Sequence, residues 1–513
     1  MRVRDRSELR FSAPFQRWFA VVALYALALL LRVPDLDKSV WIDEAGSLAQ
    51  ATAPSFTETA RAYDHPPLYF ALLRAGTWFT DSIPLLRLLS VASGLALVAV
   101  SSTLRPSGVG LFAGLLVALS PEFAGNSQEL RQYALLSACI AVTLRLSMAN
   151  TVASKLRLLA VGVASVAVVA THLIGAFFIA AMATVQFVRC RDSWYRRLGI
   201  LLPYVPAAGV AWLLKSVFLQ QTDKAPSEWW VGSLSWSHIS TAFSSITGWS
   251  SLRWLAAAVG RHISGAEPVL LFFFVSASVY LFWRLTRQGG RETWALLSVA
   301  VAYWALVIGY SMVAVNLVLP RLLLPGMIPL LWAIGLTCAK PQQFARINTA
   351  AILAVLLAVC AAVQWSWQTA WRPREDLRGL AAKLEHSCGP NTMVVLSAGL
   401  DFGVKLYWPG YNAVNPLILD LHAAPGNQLT EAYTTRGHPS NVLLVYRWDA
   451  YQQAHPTLLR AVRNTLQQSA SDSAILWDKD YYFIERYTMS AQLSNSSFAN
   501  DVMSSSVAHP ARF

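Results

Sequence analysis

Runs of uncharged, mostly apolar residues recur along the first two thirds of the chain, each closed by charge or by Pro and Gly. Stretches long enough to cross roughly 30 Å of hydrocarbon predict about eleven transmembrane helices, over 16–33, 85–104, 106–121, 131–149, 156–171, 173–188, 198–216, 268–284, 293–314, 322–339 and 347–368. The first follows Arg2, Arg4, Arg6, Arg10 and Arg17 and ends at Arg32 without a small-residue cleavage site, the pattern of an uncleaved signal anchor. The stretch from Leu158 to Val188 is too long for one helix, and its polar interruption Thr171-His172 predicts two helices meeting at the membrane surface.

With the N-terminus in the cytoplasm, alternate turns contain Arg105, then Lys155 and Arg157, then Arg189, Arg191, Arg196 and Arg197, then Arg284, Arg287 and Arg291, then Lys340 and Arg346. The positive-inside bias is met at each of them. An odd number of spans sends the C-terminal region outside, together with 34–84, 122–130 and 217–267. The expected division is a transmembrane domain over 1–368, with its outer loop 34–84, and an outer domain over 369–513. In that second part the short β-rich runs Thr392–Ser397, Val442–Trp448 and Tyr481–Tyr487 alternate with a helical pattern near Pro456–Gln468, which predicts a small α/β fold. The Ser-, Ala- and Asn-rich stretch from Ser490 reads as a disordered tail.

Composition agrees with the membrane class: 55% of residues are hydrophobic and only 13% charged, more apolar surface than a soluble chain of this length can bury. Twenty Trp and seventeen Tyr suit many crossings of the headgroup layer. The net charge of +13 sits between apolar runs, as cytoplasmic loop charge does, and not on one soluble face, so nucleic acid is not an expected partner. The five cysteines form no C-x-x-C pair, which indicates neither a metal knuckle nor a disulfide framework. No internal repeat and no Gly-rich phosphate loop stands in the chain.

Candidate chemistry gathers in the outer loops. The first reads Trp41-Ile42-Asp43-Glu44-Ala45-Gly46-Ser47 and then Tyr63-Asp64-His65-Pro66-Pro67-Leu68-Tyr69. Ionisable groups beside the bilayer usually pair or function, although two carboxylates also suit a helix N-terminus, where they satisfy free amides. The second, Pro121 to Tyr133, holds Glu122, Glu129 and Arg131. A polar turn with a snorkelling arginine would look the same. His172 lies at the same outer level, where a lone histidine is commonly a packing residue. Arg321, in Leu319-Pro320-Arg321-Leu322-Leu323-Leu324-Pro325, is the only formal charge between Glu292 and Lys340. Its planar fork suits a phosphate or a lipid headgroup.

The ordered set Asp43-Glu44, His65-Pro66-Pro67-Leu68-Tyr69, Ser127-Gln128-Glu129-Leu130-Arg131-Gln132-Tyr133-Ala134, Thr171-His172 and Pro320-Arg321-Leu322-Leu323-Leu324-Pro325 resembles the bacterial branch of the dolichyl-phosphate-mannose protein mannosyltransferase and aminoarabinose-transferase family, within the C-type membrane glycosyltransferases. Trp371-Arg372-Pro373-Arg374-Glu375-Asp376-Leu377-Arg378 also resembles the segment after the last helix in those proteins. The resemblance implies a cavity open to the outer face and to lipid, a polyprenyl-phosphate sugar donor and inversion at the anomeric carbon. By position Asp43 matches the acid that acts on the acceptor, with Glu44 beside it, and Glu129 matches the second-loop acid. Many relatives carry Ala where Leu130 stands and Met where Gln132 stands, which bears on the acceptor more than on the chemistry.

The expected activity is therefore transfer of a hexosyl or pentosyl group at the outer face of a bacterial inner membrane, with Asp43, Glu44 and Glu129 catalytic. Asp64, His65, Arg131, Tyr133, His172 and Arg321 are the expected binding residues, the arginines on the phosphate. Glu44 or Glu129 would orient sugar hydroxyls or help to hold a divalent cation; no other cofactor is implied. The acceptors open to such an enzyme are the lipid A sugar of lipopolysaccharide, a surface polysaccharide, a secreted protein or a second lipid-linked glycan. A lipid or solute transporter is the alternative, and it would place ionisable residues or broken helices near the bilayer midplane, where the predicted spans are almost free of charge. A scaffold built on the outer domain is a third reading.

Overall fold

The computed structural model describes residues 13–55, 65–104, 107–148, 154–190, 193–215, 233–247, 289–338, 376–397, 400–419, 425–447, 456–479 and 482–490, with single positions at 279, 283, 285 and 287. The chain groups into two compact units, one formed by 1–36, 53–223 and 234–372, the other by 37–52, 224–233 and 373–513.

The first unit is helical. Its described elements are α1 (Ala13–Leu30), α3 (Leu68–Thr77), α4 (Ile83–Ser102), α5 (Ser107–Leu119), α6 (Pro121–Asn126), α7 (Tyr133–Met148), α8 (Lys155–Thr171) and α9 (Ile174–Arg189). They continue with α10 (Trp194–Leu201), α11 (Val205–Leu213), α12 (Trp236–Ile246), α13 (Arg291–Val313), α14 (Pro320–Leu323) and α15 (Met327–Cys338), while α2 (Ile42–Ala51) belongs to the second unit. Neighbours pack in a closed circuit, α4 on α7, α7 on α8, α8 on α9, α9 on α13, α13 on α15, α15 on α5 and α5 on α4. Small residues let these backbones approach: a Cβ on Gly335 of α15 would lie 3.1 Å from the Ala113 Cβ of α5. Trp332 of α15 donates its indole N–H to Ser101 Oγ of α4 at 3.0 Å, inside the circuit. Outward positions such as Trp18, Leu159, Val163, Val301 and Val313 are exposed and apolar, the pattern of a lipid-facing surface.

Among the described residues three helical stretches, Ile83–Ser102, Arg291–Val313 and Pro320–Thr337, are long and apolar enough to cross a membrane. Nine of the eleven predicted spans coincide with described helical segments; 347–368 lies outside the described residues and 268–284 almost wholly so. Several of the nine are shorter than the apolar run that announced them. Proline is the reason in three places. Pro121 opens α6 as a separate six-residue helix, Pro203 interrupts 198–216 with a 3-10 turn at Leu202–Tyr204, and Pro325 does the same at Leu324–Gly326. Thr171 and Ile174 end and begin two helices as the polar interruption predicts.

Buried arginines within this unit satisfy backbone carbonyls at helix ends and in a turn. Arg32, fully buried, donates through Nη1 to the carbonyls of Ala28 and Ala118 and through Nη2 to that of Val117, so one guanidinium serves the C-terminal carbonyls of α1 and α5. Arg87 Nη1 donates to the Leu36 carbonyl at 2.7 Å.

The second unit is α/β. Its strands are β1 (Thr392–Ser397), β2 (Leu417–Leu419), β3 (Asn441–Arg447), β4 (Ala470–Lys479) and β5 (Tyr482–Met489), in the order β2-β1-β3-β5-β4. β1 pairs in parallel with β2 and β3, and β5 pairs antiparallel with β3 and β4. Helices α16 (Leu377–Ser387), α17 (Leu400–Tyr407), α18 (Tyr411–Val414), α19 (Pro425–Thr435) and α20 (Pro456–Ser469) connect and cover them. The small α/β fold expected of the C-terminal region is present; the tail from Ser490 lies outside the described residues apart from Ser490 itself.

Candidate active site

Arg131 and Gln132 stand just before α7, in a turn that follows α6, so they are not on the helix whose apolar run they border. The turn is fixed by Gln128, whose Nε2 donates to the Pro34 carbonyl at 2.9 Å and to the Leu31 carbonyl at 3.4 Å. Ser127 Oγ donates to the Phe123 carbonyl at 2.6 Å. Residues 127–133 are all buried, Glu129 and Arg131 included.

Around this turn four separate stretches of sequence converge. Arg131 Nη2 lies 3.3 Å from His65 Nε2, and since a guanidinium only donates, that imidazole nitrogen accepts. The His65 ring is 5.4 Å from the His172 ring and stacks on Phe70 at 6.1 Å. Tyr133 lies 5.6 Å from the His172 ring. The guanidinium carbons of Arg131 and Arg321 sit 5.7 and 5.6 Å from the centre of the same Tyr133 ring, within cation–π range. Five of the nine sequence-identified residues, His65, Arg131, Tyr133, His172 and Arg321, thus form one cluster.

His172 links α8 and α9, and its Nδ1 accepts the Ile174 amide at 3.1 Å, so a neutral ring holds its proton on Nε2. Burial, then the positive charge of Arg131 and then that of Arg321, lowers its pKa from 6.5 to about 3. The cluster therefore combines two permanent cations with an uncharged imidazole donor.

Arg321 is held by residues that its own motif does not reveal. Tyr303 Oη donates to the Leu322 carbonyl, and Trp304 Nε1 donates to the Leu323 carbonyl at 2.9 Å. A Cβ on Gly326 would collide with the Trp304 indole, so that turn requires glycine for close approach. Glu122, the other acid of the second loop, accepts from Ser245 Oγ of α12. Phe70, Tyr303, Trp304 and Ser245 were not among the residues singled out from sequence; an aromatic pair at the start of a motif or the middle of an apolar run gives no signal of its own.

Asp43 and Glu44 belong to the second unit, in the first turn of α2. Glu44 is fully buried and its Oε2 accepts the Trp41 amide at 3.3 Å, so this carboxylate does the helix-capping work that the sequence allowed for it. Asp43 is half-buried, and its carbonyl accepts from Ser47 Oγ at 2.9 Å. Asp64 lies outside the described residues, as does Trp371-Arg372-Pro373-Arg374-Glu375. Among the described residues no three His, Cys, Asp or Glu side chains come together as a set that could hold a metal ion.

Comparison of the sequence with protein-family models and with curated proteins returns no match. Among solved structures, ArnT from Cupriavidus metallidurans bound to undecaprenyl phosphate aligns over 93% of this chain and 98% of its own, at a TM-score of 0.52 and 14% identity. The chain has the fold of this ArnT. The fold that the ordered motifs implied is thus the one present. The apo state of the same ArnT aligns over 92% of this chain and 98% of its own, at a TM-score of 0.46 and 15% identity. The mycobacterial arabinofuranosyltransferase AftD aligns over 94% of this chain and 40% of its own, at 0.48 and 14%.

Proposed function

We propose that the chain transfers a sugar from a polyprenyl-phosphate carrier to an acceptor at the outer face of a bacterial inner membrane, with inversion at the anomeric carbon. The observation that carries this reading is the convergence of Arg131, Arg321 and His172 on Tyr133. Two guanidiniums and an imidazole N–H around one ring suit a phosphate monoester far better than a neutral solute. The ArnT structure with the same fold contains undecaprenyl phosphate, which favours a lipid as the bearer of that phosphate.

In this mechanism the acceptor oxygen attacks the anomeric carbon from the face opposite the phosphate, and Asp43 takes the acceptor proton. The bond from the anomeric carbon to the phosphate oxygen breaks, its electron pair staying on the oxygen. The departing monoester is a stable anion whose second pKa is about 6, so no general acid is needed on that side. Arg131 and Arg321 stabilise the charge that builds there, and His172 donates to the phosphate through Nε2. Glu129 helps to shape the sugar pocket. Glu44 is a capping residue before it is anything else, so its catalytic share is the smaller of the two neighbours. Positive charge is supplied by the arginines, and no step requires a divalent cation.

Purified wild-type chain in proteoliposomes, given radiolabelled polyprenyl-phosphate sugars and an envelope extract, tests this. Label moving into a product no longer extracted with the carrier is the expected result. Donor consumed by none of a panel of sugars, with labelled lipid crossing the bilayer instead, would favour the transporter.

A further inference from the structure

The segment that leads into α2 is gripped by the C-terminal α/β fold. Arg378, in the first turn of α16, donates its backbone N–H to Ser39 Oγ at 3.1 Å and its Nη2 to the Asp37 carbonyl at 3.1 Å. The same guanidinium lies 3.5 Å from the Asp37 carboxylate and 5.4 Å from the centre of the Tyr407 ring. Tyr407, the last residue of α17, accepts the Val40 amide on Oη at 3.0 Å. Three positions before α2, Asp37, Ser39 and Val40, are therefore held by two helices that lie far downstream in sequence. Helix α2 then packs on α17, with Ala45, Leu48 and Ala51 buried.

A ten-residue helix does not hold its own place in water. Exposed ion pairs such as Arg378 with Asp37 add little by themselves. The backbone contacts are different in kind, because they fix the amide of Val40, which is fully buried, and the carbonyl of Asp37, and so set where the first turn of α2 begins. That turn carries Asp43.

We infer that Arg378 and Tyr407 are positioning residues for Asp43, so that the C-terminal α/β fold acts as the rigid support of the first-loop carboxylate. This rests on the reading of Asp43 as the base that accepts the acceptor proton. Orientation errors of the order of an ångström cost a reaction about a hundredfold, whereas donor binding depends on the arginine cluster of the other unit. The two contributions separate in kinetics.

The test uses the full-length chain in proteoliposomes with Tyr407→Phe, Arg378→Ala and Arg378→Lys. Tyr407→Phe removes one acceptor and keeps the ring; Arg378 is half exposed, so its replacements leave the fold standing. Amide exchange over residues 37–48 is measured beside transfer. The expected result is faster exchange at Val40 and its neighbours, kcat lowered about tenfold or more with the donor KM within about twofold, and partial recovery in Arg378→Lys. Faster exchange with kcat unchanged would overturn the positioning role while leaving the transferase reading intact. Unchanged exchange would overturn the grip itself. A wild-type chain that exchanges slowly over 37–48 yet transfers no sugar would sink the transferase reading, and the positioning role with it.

Discussion

Tyr133 presents its ring to Arg321, whose guanidinium carbon lies 5.6 Å from the ring centre although the two residues come from helices α7 and α14, far apart in sequence. The ring face lies within cation–π range of that guanidinium, whose turn Tyr303 and Trp304 hold through the Leu322 and Leu323 carbonyls. Tyr133→Phe keeps the ring face and is expected to leave the donor KM within about twofold. Tyr133→Leu removes an interaction of about 0.5–2 kcal/mol and is expected to raise it. Equal effects of the two would mean that the hydroxyl, not the ring, matters.

Under the proposed mechanism Arg321→Ala deletes a charge-assisted contact to the donor phosphate, worth about 1.5–3 kcal/mol. Transfer kinetics are expected to show kcat/KM down by about one to two orders of magnitude, with Arg321→Lys between alanine and wild type, because an ammonium supplies charge without the planar fork. A lysine variant equal to wild type would show that charge alone suffices.

His172 gives a pH signature. Its pKa falls from 6.5 to about 3 on folding, while the unfolded chain keeps the ordinary value near about 6.5. Between those values the unfolded chain holds a proton that the folded chain lacks, so stability falls as pH drops from about 6.5 towards 3. The thermal midpoint of the wild type is expected to decline more steeply over that window than that of His172→Asn. Parallel curves would contradict the burial of this ring beside Arg131 and Arg321.

In the C-terminal fold, buried Glu485 accepts from Tyr446 Oη at 2.7 Å, Tyr487 Oη at 2.6 Å and Arg463 Nε at 3.0 Å. Tyr446→Phe or Tyr487→Phe removes one donor to a charged acceptor and is expected to cost about 1.5–3 kcal/mol in denaturant unfolding. Their double variant is expected to depart from additivity, since all three groups share one carboxylate. Additive losses would argue for independent bonds.

What the sequence disclosed follows burial. The three strands that it predicts, β1, β3 and β5, are the interior strands of the sheet, and β1 and β3 read as unbroken apolar runs because they are covered on both faces. The two it misses, β2 and β4, are the edges: one is three residues long, and the other opens on the polar Ala470-Ser471-Asp472-Ser473. The individual site residues were visible as charge or His beside apolar runs. Their convergence was not, because His65, Arg131, His172 and Arg321 share no spacing and meet only when α7, α8, α9 and α13 to α15 pack. Glu44 could be read as cap or catalyst from its position, and its Oε2 accepts the Trp41 amide as a cap does.

The proposed role of Asp43 as acceptor of the acceptor proton is tested by single-turnover sugar transfer by Asp43→Asn beside the wild type, with donor binding measured on the same proteoliposomes. Donor binding is expected to stay within about twofold and transfer to slow by about 10²- to 10⁴-fold, the usual worth of a general base. Transfer at the wild-type rate by the asparagine variant would contradict it.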